Sequence, residues 1–169
     1  WMMMQRSFKK EVTDEKIKKE MTIEFIDYYS KNIANDSRPF EGLFEFLEWA
    51  KSKNISMAVC TNKQEKLAID LLKKLKLFNY FEYVAGSDTF NYNKPDPRHL
   101  TDVVEIIGGN LKKTIMVGDS EVDEMAATNA KLPFILVADG YTEKTVKQIK
   151  HDVLIKDYVG FDKIISKYL

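Results

Sequence analysis

The sequence predicts an α/β fold in which a parallel sheet is covered by helices on both faces, giving three layers. Two observations predict it: short apolar segments alternate with amphipathic helical segments, and the strand-like segments are apolar throughout, as in strands buried on both faces. At 169 residues, with 44% apolar and 31% charged residues, the chain is long enough for a sizeable core. We therefore expect one α/β domain, with room for a small appendage.

The first predicted helix begins at a Thr13 N-cap and continues through about residue 31, with an apolar stripe that includes Ile17 and Phe25. The polar segment 35–42 follows, and its Pro and Gly are typical of a linker. The predicted strands after it cover residues 55–60, 83–85, 115–117, 134–137 and 153–155. The predicted helices lie around residues 43–50, 67–75, 100–107, 122–126 and 161–168. In the fourth of these, Val122, Met125 and Ala126 should share the buried face.

Charge and cysteine content exclude several classes of protein. Lys plus Arg and Asp plus Glu both number 26, so no basic excess exists for binding nucleic acid or a membrane surface. No apolar run is long enough to span a membrane, and no signal peptide is visible. The single cysteine, Cys60, fits a reducing cytoplasm and is expected to be a buried structural thiol.

Two carboxylates follow the predicted strand 115–117. The apolar run ends at Gly118, Asp119 comes next, and Asp123 follows four residues later at the start of a helix. Ligands of open α/β sheets bind at the carboxyl ends of the strands. Magnesium usually takes only one or two protein carboxylates there, so we expect Asp119 and Asp123 to form a Mg²⁺ site. Glu121 and Glu124 are expected only to favour the helix start.

Thr61 and Asn62 follow the strand that ends at Cys60, directly before a helix, where a hydroxyl and backbone N–H groups can hold a phosphate. For this pair alone, a plain N-cap is the favoured interpretation.

Lys94 begins the segment Lys94-Pro95-Asp96-Pro97. The two prolines should hold the segment extended and aim the lysine at a phosphoryl group, and the alternative is a solvated lysine in a turn. Asp96 is expected to cap the next helix. His99 and His151 are expected at the surface, with no part in a catalytic triad. Because parallel strands end at one edge of a sheet, Thr61, Lys94 and Asp119 should meet there, and together they favour a catalytic site.

These three elements resemble motifs II, III and IV of the haloacid dehalogenase superfamily, and most closely its phosphoglycolate phosphatase subgroup. The resemblance covers nearly the whole chain. It implies a HAD-like Rossmannoid core with the remnant of a helical cap. It also implies that Thr61 and Asn62 bind the phosphoryl group and that Lys94 stabilises its charge. Asp119 would bind Mg²⁺ directly, and Asp123 would position the metal.

The same resemblance divides the chain into the end of a helical cap, residues 1–37, and the α/β core, residues 38–169. Residues 38–42 would form the hinge, in which Glu41 replaces a common proline.

The nucleophile motif of that family, Asp-x-Asp-Gly-Thr, is absent from this sequence. Asp139-Gly140 follows an apolar run, but Ala138 precedes it and the needed second aspartate is missing. The absent strand belongs at the centre of the sheet, between the strands that end at Thr61 and Gly118. Since the chain starts at Trp1, we predict a truncated chain, with an upstream segment that supplies the nucleophile. These residues alone should be inactive and should fold poorly, because interior strand edges would be exposed.

The leading functional hypothesis is a Mg²⁺-dependent cytoplasmic phosphatase that hydrolyses a small phosphomonoester through an aspartyl-phosphate. Phosphoglycolate is the substrate that the resemblance implies, with nucleotides, pyrophosphate and sugar phosphates as rivals. One alternative is a phosphosugar mutase on the same scaffold, which Thr61-Asn62-Lys63 disfavours. Another is a catalytically inactive module that binds a phosphorylated ligand or a partner. The sequence does not indicate the oligomeric state.

Overall fold

The computed structural model describes residues 13–33, 37–138, 140, 142 and 144–168. Three predictions fall partly outside the described residues. They are the predicted cap (residues 1–12), the predicted linker (residues 34–36) and the rejected motif at Asp139. The chain divides between residues 37 and 38 into two compact units. The assignment of residues 1–37 to a cap and of residues 38–169 to a catalytic core stays a prediction.

The first unit contains helix α1 (Glu15–Asn32), and its N-cap is Asp14, not the predicted Thr13. The Asp14 carboxylate accepts hydrogen bonds from the backbone N–H groups of Lys16 and Ile17, at 2.8 and 3.2 Å. A carboxylate both caps the helix and complements its dipole, which favours it over the neighbouring hydroxyl.

The strands of the second unit, among the described residues, are β1 (Ala58–Cys60), β2 (Tyr83–Ala85), β3 (Met116–Gly118), β4 (Phe134–Val137) and β5 (Val153–Ile155). All of their pairings are parallel. The bounds of β2, β4 and β5 agree with the prediction, whereas β1 begins at Ala58 and not at residue 55. The α/β fold with parallel strands is confirmed.

The strands form two sheets where the sequence predicted one. β1 pairs with β2, and β4 lies between β3 and β5 in a second sheet. Within the described residues β1 and β3 do not pair with each other, although the carboxyl ends of both approach Lys94. The predicted central strand between them stays a prediction.

The helices of the second unit are α2 (Leu43–Ser52), α3 (Glu65–Lys74), α4 (Arg98–Ile106), α5 (Glu121–Ala130) and α6 (Phe161–Ile165). They cover both faces of β4. Alternate side chains of a strand point to opposite faces, so the residues of β4 pack in two separate clusters. Phe134 and Leu136 pack in one core cluster with Ala126 of α5 and Leu100 of α4. The other two residues of β4, Ile135 and Val137, pack in a second cluster with Ile155, Phe161 and Ile165.

The prediction that Met125 is buried was wrong, since its side chain is 44% exposed. The buried face of α5 instead consists of Asp123, Ala126 and Ala127, which lie three and four residues apart and so form one stripe. Met125 falls between these positions and points away from the core. Among the described residues, no helix has both the length and the apolar character needed to cross a membrane.

Candidate active site

The Lys94 ammonium lies between the two sheets. Its Nζ donates to the Cys60 carbonyl at the end of β1, at 2.7 Å, and to Asp123 Oδ1 on α5, at 2.5 Å. The side chains of Lys94 and Asp123 are 9% and 6% exposed. The solvated lysine in a turn is therefore excluded. The pair joins two of the sequence motifs in one buried ionic contact.

Asp123 is held on its other side by the junction between β3 and α5. Its Oδ2 accepts from Ser120 Oγ at 2.7 Å and from the backbone N–H groups of Asp119 and Ser120, both at 3.1 Å. Ser120 is the N-cap of α5 and forms a reciprocal capping box with Asp123. Burial raises the pKa of the Asp123 carboxyl, but Lys94 and these donors outweigh burial and hold the pKa below its ordinary value.

Gly118 leaves room for this arrangement. A Cβ atom there would lie 2.5 Å from Asp123 Cβ and 2.6 Å from Asp123 Cγ. The glycine therefore allows the strand end to approach the carboxylate closely.

Thr61 and Asn62 follow β1, and α3 begins at Glu65. The Thr61 N–H donates to the Ala85 carbonyl at 2.9 Å, and its Oγ1 accepts from the Lys63 N–H at 3.1 Å. The Asn62 side-chain amide donates to the Lys94 carbonyl at 2.8 Å. The structure thus gives Asn62 a contact with Lys94, while its predicted contact with phosphate stays a prediction.

The segment from Lys94 to Pro97 is a turn, so the prediction of an extended segment was wrong. The Asp96 N–H bonds back to the Asn93 carbonyl at 2.9 Å. The Asp96 carboxylate accepts from the Arg98 N–H at 2.9 Å and from its guanidinium at 2.7 Å. Hydrogen bonds from Arg98 lower the pKa of Asp96 to about 2. The N-cap of α4 is Pro97, not the predicted Asp96, although the Asp96 carboxylate accepts from the first backbone N–H of the helix.

His99 is 0% exposed, so the prediction of a surface histidine was wrong. It occupies the first turn of α4, and its ring meets Phe90 edge-on, with centroids 5.9 Å apart. His151, in a loop, is half-buried, and its Nδ1 lies 2.7 Å from the Ile149 carbonyl oxygen.

Tyr158 belongs to the surroundings of Asp119, and the sequence reasoning missed it. Burial, with a further contribution from the Asp119 charge, raises the pKa of Tyr158 to about 12. Its ring packs against Phe161 and Phe46, with centroids 5.1 and 6.0 Å away. Its place three residues after β5 was the available signal, since ligand sites lie beyond the carboxyl ends of strands.

Glu121 and Cys60 also border the site. Glu121 accepts a hydrogen bond from the Thr142 hydroxyl, which lowers the pKa of the Glu121 carboxyl. Burial raises the pKa of the Cys60 thiol to about 11. At neutral pH the thiol is therefore protonated and a poor nucleophile, consistent with the predicted structural role.

The donor set fits a metal ion held through one direct carboxylate. Within the described residues, no cluster of three or more His, Cys, Asp or Glu side chains could hold a metal. Both oxygens of Asp123 already accept hydrogen bonds from protein donors. This suits a residue that positions the metal without binding it directly. Asp119 is half-buried at the carboxyl end of β3, and its role as the direct ligand stays a prediction. Magnesium is the ion that accepts so few protein ligands, because water and phosphate oxygens complete its shell.

The chain is similar to a known protein family and to several known proteins. The family model described as haloacid dehalogenase-like hydrolase matches residues 2–137. A phosphoglycolate phosphatase of Agrobacterium fabrum is 42% identical over 148 residues, which cover 85% of this chain and 64% of that protein. A phosphoglycolate phosphatase of Caulobacter vibrioides is 39% identical over 139 residues, covering 82% of this chain and 59% of that protein. The chain thus spans about three fifths of the length of these relatives.

A similar solved structure is the crystal structure of a predicted phosphoglycolate phosphatase from Haemophilus somnus. It superposes with a TM-score of 0.85 at 29% sequence identity, covering 92% of this chain and 69% of that one.

Proposed function

The chain belongs to the haloacid dehalogenase-like hydrolases, and we propose that it forms part of a Mg²⁺-dependent phosphatase that hydrolyses a small phosphomonoester such as phosphoglycolate. One observation carries the proposal: the buried Lys94 ammonium lies 2.5 Å from Asp123 and 2.7 Å from the carbonyl of Cys60, the last residue of β1. A cation fixed in this way by a carboxylate and a backbone carbonyl suits a transferring phosphoryl group. The names of the relatives support the substrate class.

Lys94 has the donor capacity that this role needs. An ammonium has three N–H donors, and among the described residues Cys60 and Asp123 take two of them. The third N–H would bind a phosphoryl oxygen. Because the ammonium is held in place before substrate arrives, little reorganisation is needed when charge develops in the transition state.

The other residues would divide the remaining tasks. The Thr61 hydroxyl and the backbone N–H groups after β1 would bind phosphoryl oxygens, with Asn62 beside them. Asp119 would hold Mg²⁺ directly, and Asp123 would orient Asp119 and Lys94. When bound, the metal would neutralise charge on the phosphoryl oxygens.

The nucleophile in this proposal is an aspartate outside the present sequence. Its carboxylate would displace the alcohol from phosphorus to give an aspartyl-phosphate, which water would then hydrolyse. The same step underlies the mutase alternative, in which the phosphoryl group returns to a sugar. No observation on the described residues favours that alternative.

The proposal is tested by assaying phosphate release from phosphoglycolate and a panel of phosphomonoesters, with the full-length protein. We expect activity that chelation removes and Mg²⁺ restores. Asp119→Asn should lower kcat at least about 100-fold, because it removes the direct metal ligand.

The matched control is Glu124→Gln, which makes the same change of charge five residues later, in the helix that follows Asp119, and should retain activity. Full activity in Asp119→Asn, or activity that survives chelation, would refute the mechanism. A full-length protein that binds phosphate esters without turnover would favour the inactive binding module.

A further inference from the structure

We propose that His99 is a positioning residue, which holds Lys94 by its main chain and so sets the direction of the catalytic ammonium. The geometric part of this inference stands on the contacts of His99 alone, and its catalytic consequence rests on the proposed function. His99 is 0% exposed, and its Nδ1 accepts a hydrogen bond from the Lys94 backbone N–H at 3.3 Å. The ring therefore reaches back across the turn from the first residues of α4.

The second main-chain group of Lys94 is also held. The Asn62 side-chain amide donates to the Lys94 carbonyl at 2.8 Å. Together, His99 and Asn62 bind the N–H and the C=O of the same residue. With both groups fixed, the lysine side chain starts from a defined point and reaches Asp123 and the Cys60 carbonyl.

His99 is itself well fixed, as a positioning residue must be. Its backbone N–H donates to the Asp96 carbonyl at 3.2 Å. Its carbonyl oxygen lies 3.6 Å from Cys60 Sγ, which donates to it. Phe90 meets the ring edge-on, and Phe90 in turn stacks on Tyr92 with centroids 5.5 Å apart.

The hydrogen bond requires a neutral ring with its proton on Nε2. A protonated Nδ1 would face the Lys94 N–H with a second donor and break the contact. Burial has the largest effect on the pKa of His99 and lowers it, and the charge of Lys94 lowers it further. The Gly86 backbone raises the pKa by a smaller amount, so the net shift favours the neutral ring. Nε2 makes no well-formed hydrogen bond among the described residues, so the contact with Lys94 is the main polar interaction of the buried ring there.

The catalytic consequence is tested in the full-length protein with two variants. His99→Leu removes the acceptor at similar volume, whereas His99→Asn keeps an oxygen acceptor near the position of Nδ1. We expect His99→Leu to lower kcat by about 10- to 100-fold and to change KM by less than about threefold, because a displaced ammonium weakens transition-state stabilisation more than substrate binding. His99→Asn should recover most of kcat.

The matched control is His151→Leu, which replaces a half-buried loop histidine whose Nδ1 lies beside the Ile149 carbonyl oxygen and not beside Lys94. It should retain the wild-type kcat. A wild-type kcat in folded His99→Leu would overturn the proposal, and so would an equal loss in His99→Asn.

A second measurement needs neither substrate nor variant. In ¹⁵N-labelled protein, the Lys94 amide nitrogen and His99 Nδ1 should show a scalar coupling across the hydrogen bond, and the shift of Nδ1 should be that of an unprotonated nitrogen. A protonated Nδ1 without this coupling would overturn the proposal even if His99→Leu fails to fold. If the full-length protein hydrolyses no phosphate ester, the proposed function fails, and the coupling still decides whether His99 holds Lys94.

Discussion

At the scale of single residues, the buried pair of Lys94 and Asp123 dominates the energetics of the site. Two opposite charges removed from water are tolerated because each also has neutral hydrogen-bond partners: the Cys60 carbonyl for the ammonium, and Ser120 for the carboxylate. Neither charge can be removed alone without leaving the other unbalanced in a region of low dielectric constant.

Lys94→Met should therefore reduce the free energy of unfolding by about 3–5 kcal/mol, because Asp123 keeps a buried charge without its partner. The double variant Lys94→Met with Asp123→Asn should recover much of that loss, since the remaining amide oxygen still accepts from Ser120. Urea denaturation of both variants and of Asp123→Asn gives the coupling free energy. Additive losses would contradict this account.

The burial of His99 was predictable from the sequence, although it was not predicted. His99 lies four residues before Val103, and both residues are buried on α4. This i, i+4 spacing places the imidazole on the apolar face of the helix. Its contact with Lys94 was not predictable, because it depends on how the turn before α4 folds back.

At the scale of elements, the junction of β3 with α5 assembles three features in six residues: Gly118, the Ser120 cap and the Asp123 carboxylate. The sequence predicted this junction well, because a glycine after an apolar run and acidic residues in a first helical turn are local signals. The conformation of the segment from Lys94 to Pro97 was mispredicted as extended. The two prolines do not indicate the hydrogen bond from the Asp96 backbone N–H to the Asn93 carbonyl, which closes the turn.

Gly118→Ala should lower phosphatase activity about 10-fold or more, because the new methyl group would displace Asp123 from Lys94. The comparison variant is Gly108→Ala. Gly108 has φ +66°, and a methyl group added there would meet no atom within 4 Å, so its replacement should cost about 1–2 kcal/mol of stability through backbone strain and leave kcat unchanged. Activity and thermal unfolding of both variants separate the two effects. Equal kcat values for the two variants would contradict the steric explanation.

At the scale of the whole molecule, β4 is the centre of the second unit. It pairs with β3 on one side and β5 on the other, and all four of its residues are buried. The fold class was predictable because continuous apolar runs identify doubly covered strands. The division into two sheets falls between β1 and β3, where the sequence analysis places the absent central strand.

Native-state hydrogen exchange should be slowest in β4, since exposing its amides requires separation from strands on both sides. We expect the amides of Phe134 to Val137 to exchange about tenfold more slowly, or more, than those of β1 and β2. Amide-resolved NMR on the full-length protein measures this difference. Slower exchange in β2 than in β4 would show that the sheet of β1 and β2 is the more stable part.

The position of one nitrogen atom connects the two sheets. Nζ of Lys94 touches an oxygen at the end of β1 and an oxygen on the helix that follows β3, so both contacts exist only when the sheets are correctly spaced. A displacement of about 1 Å would break at least one contact, because hydrogen bonds tolerate little lengthening. Charge neutralisation in the site and alignment of the sheets are therefore a single event, and a molecule with misaligned sheets would lose its chemistry before it lost its secondary structure.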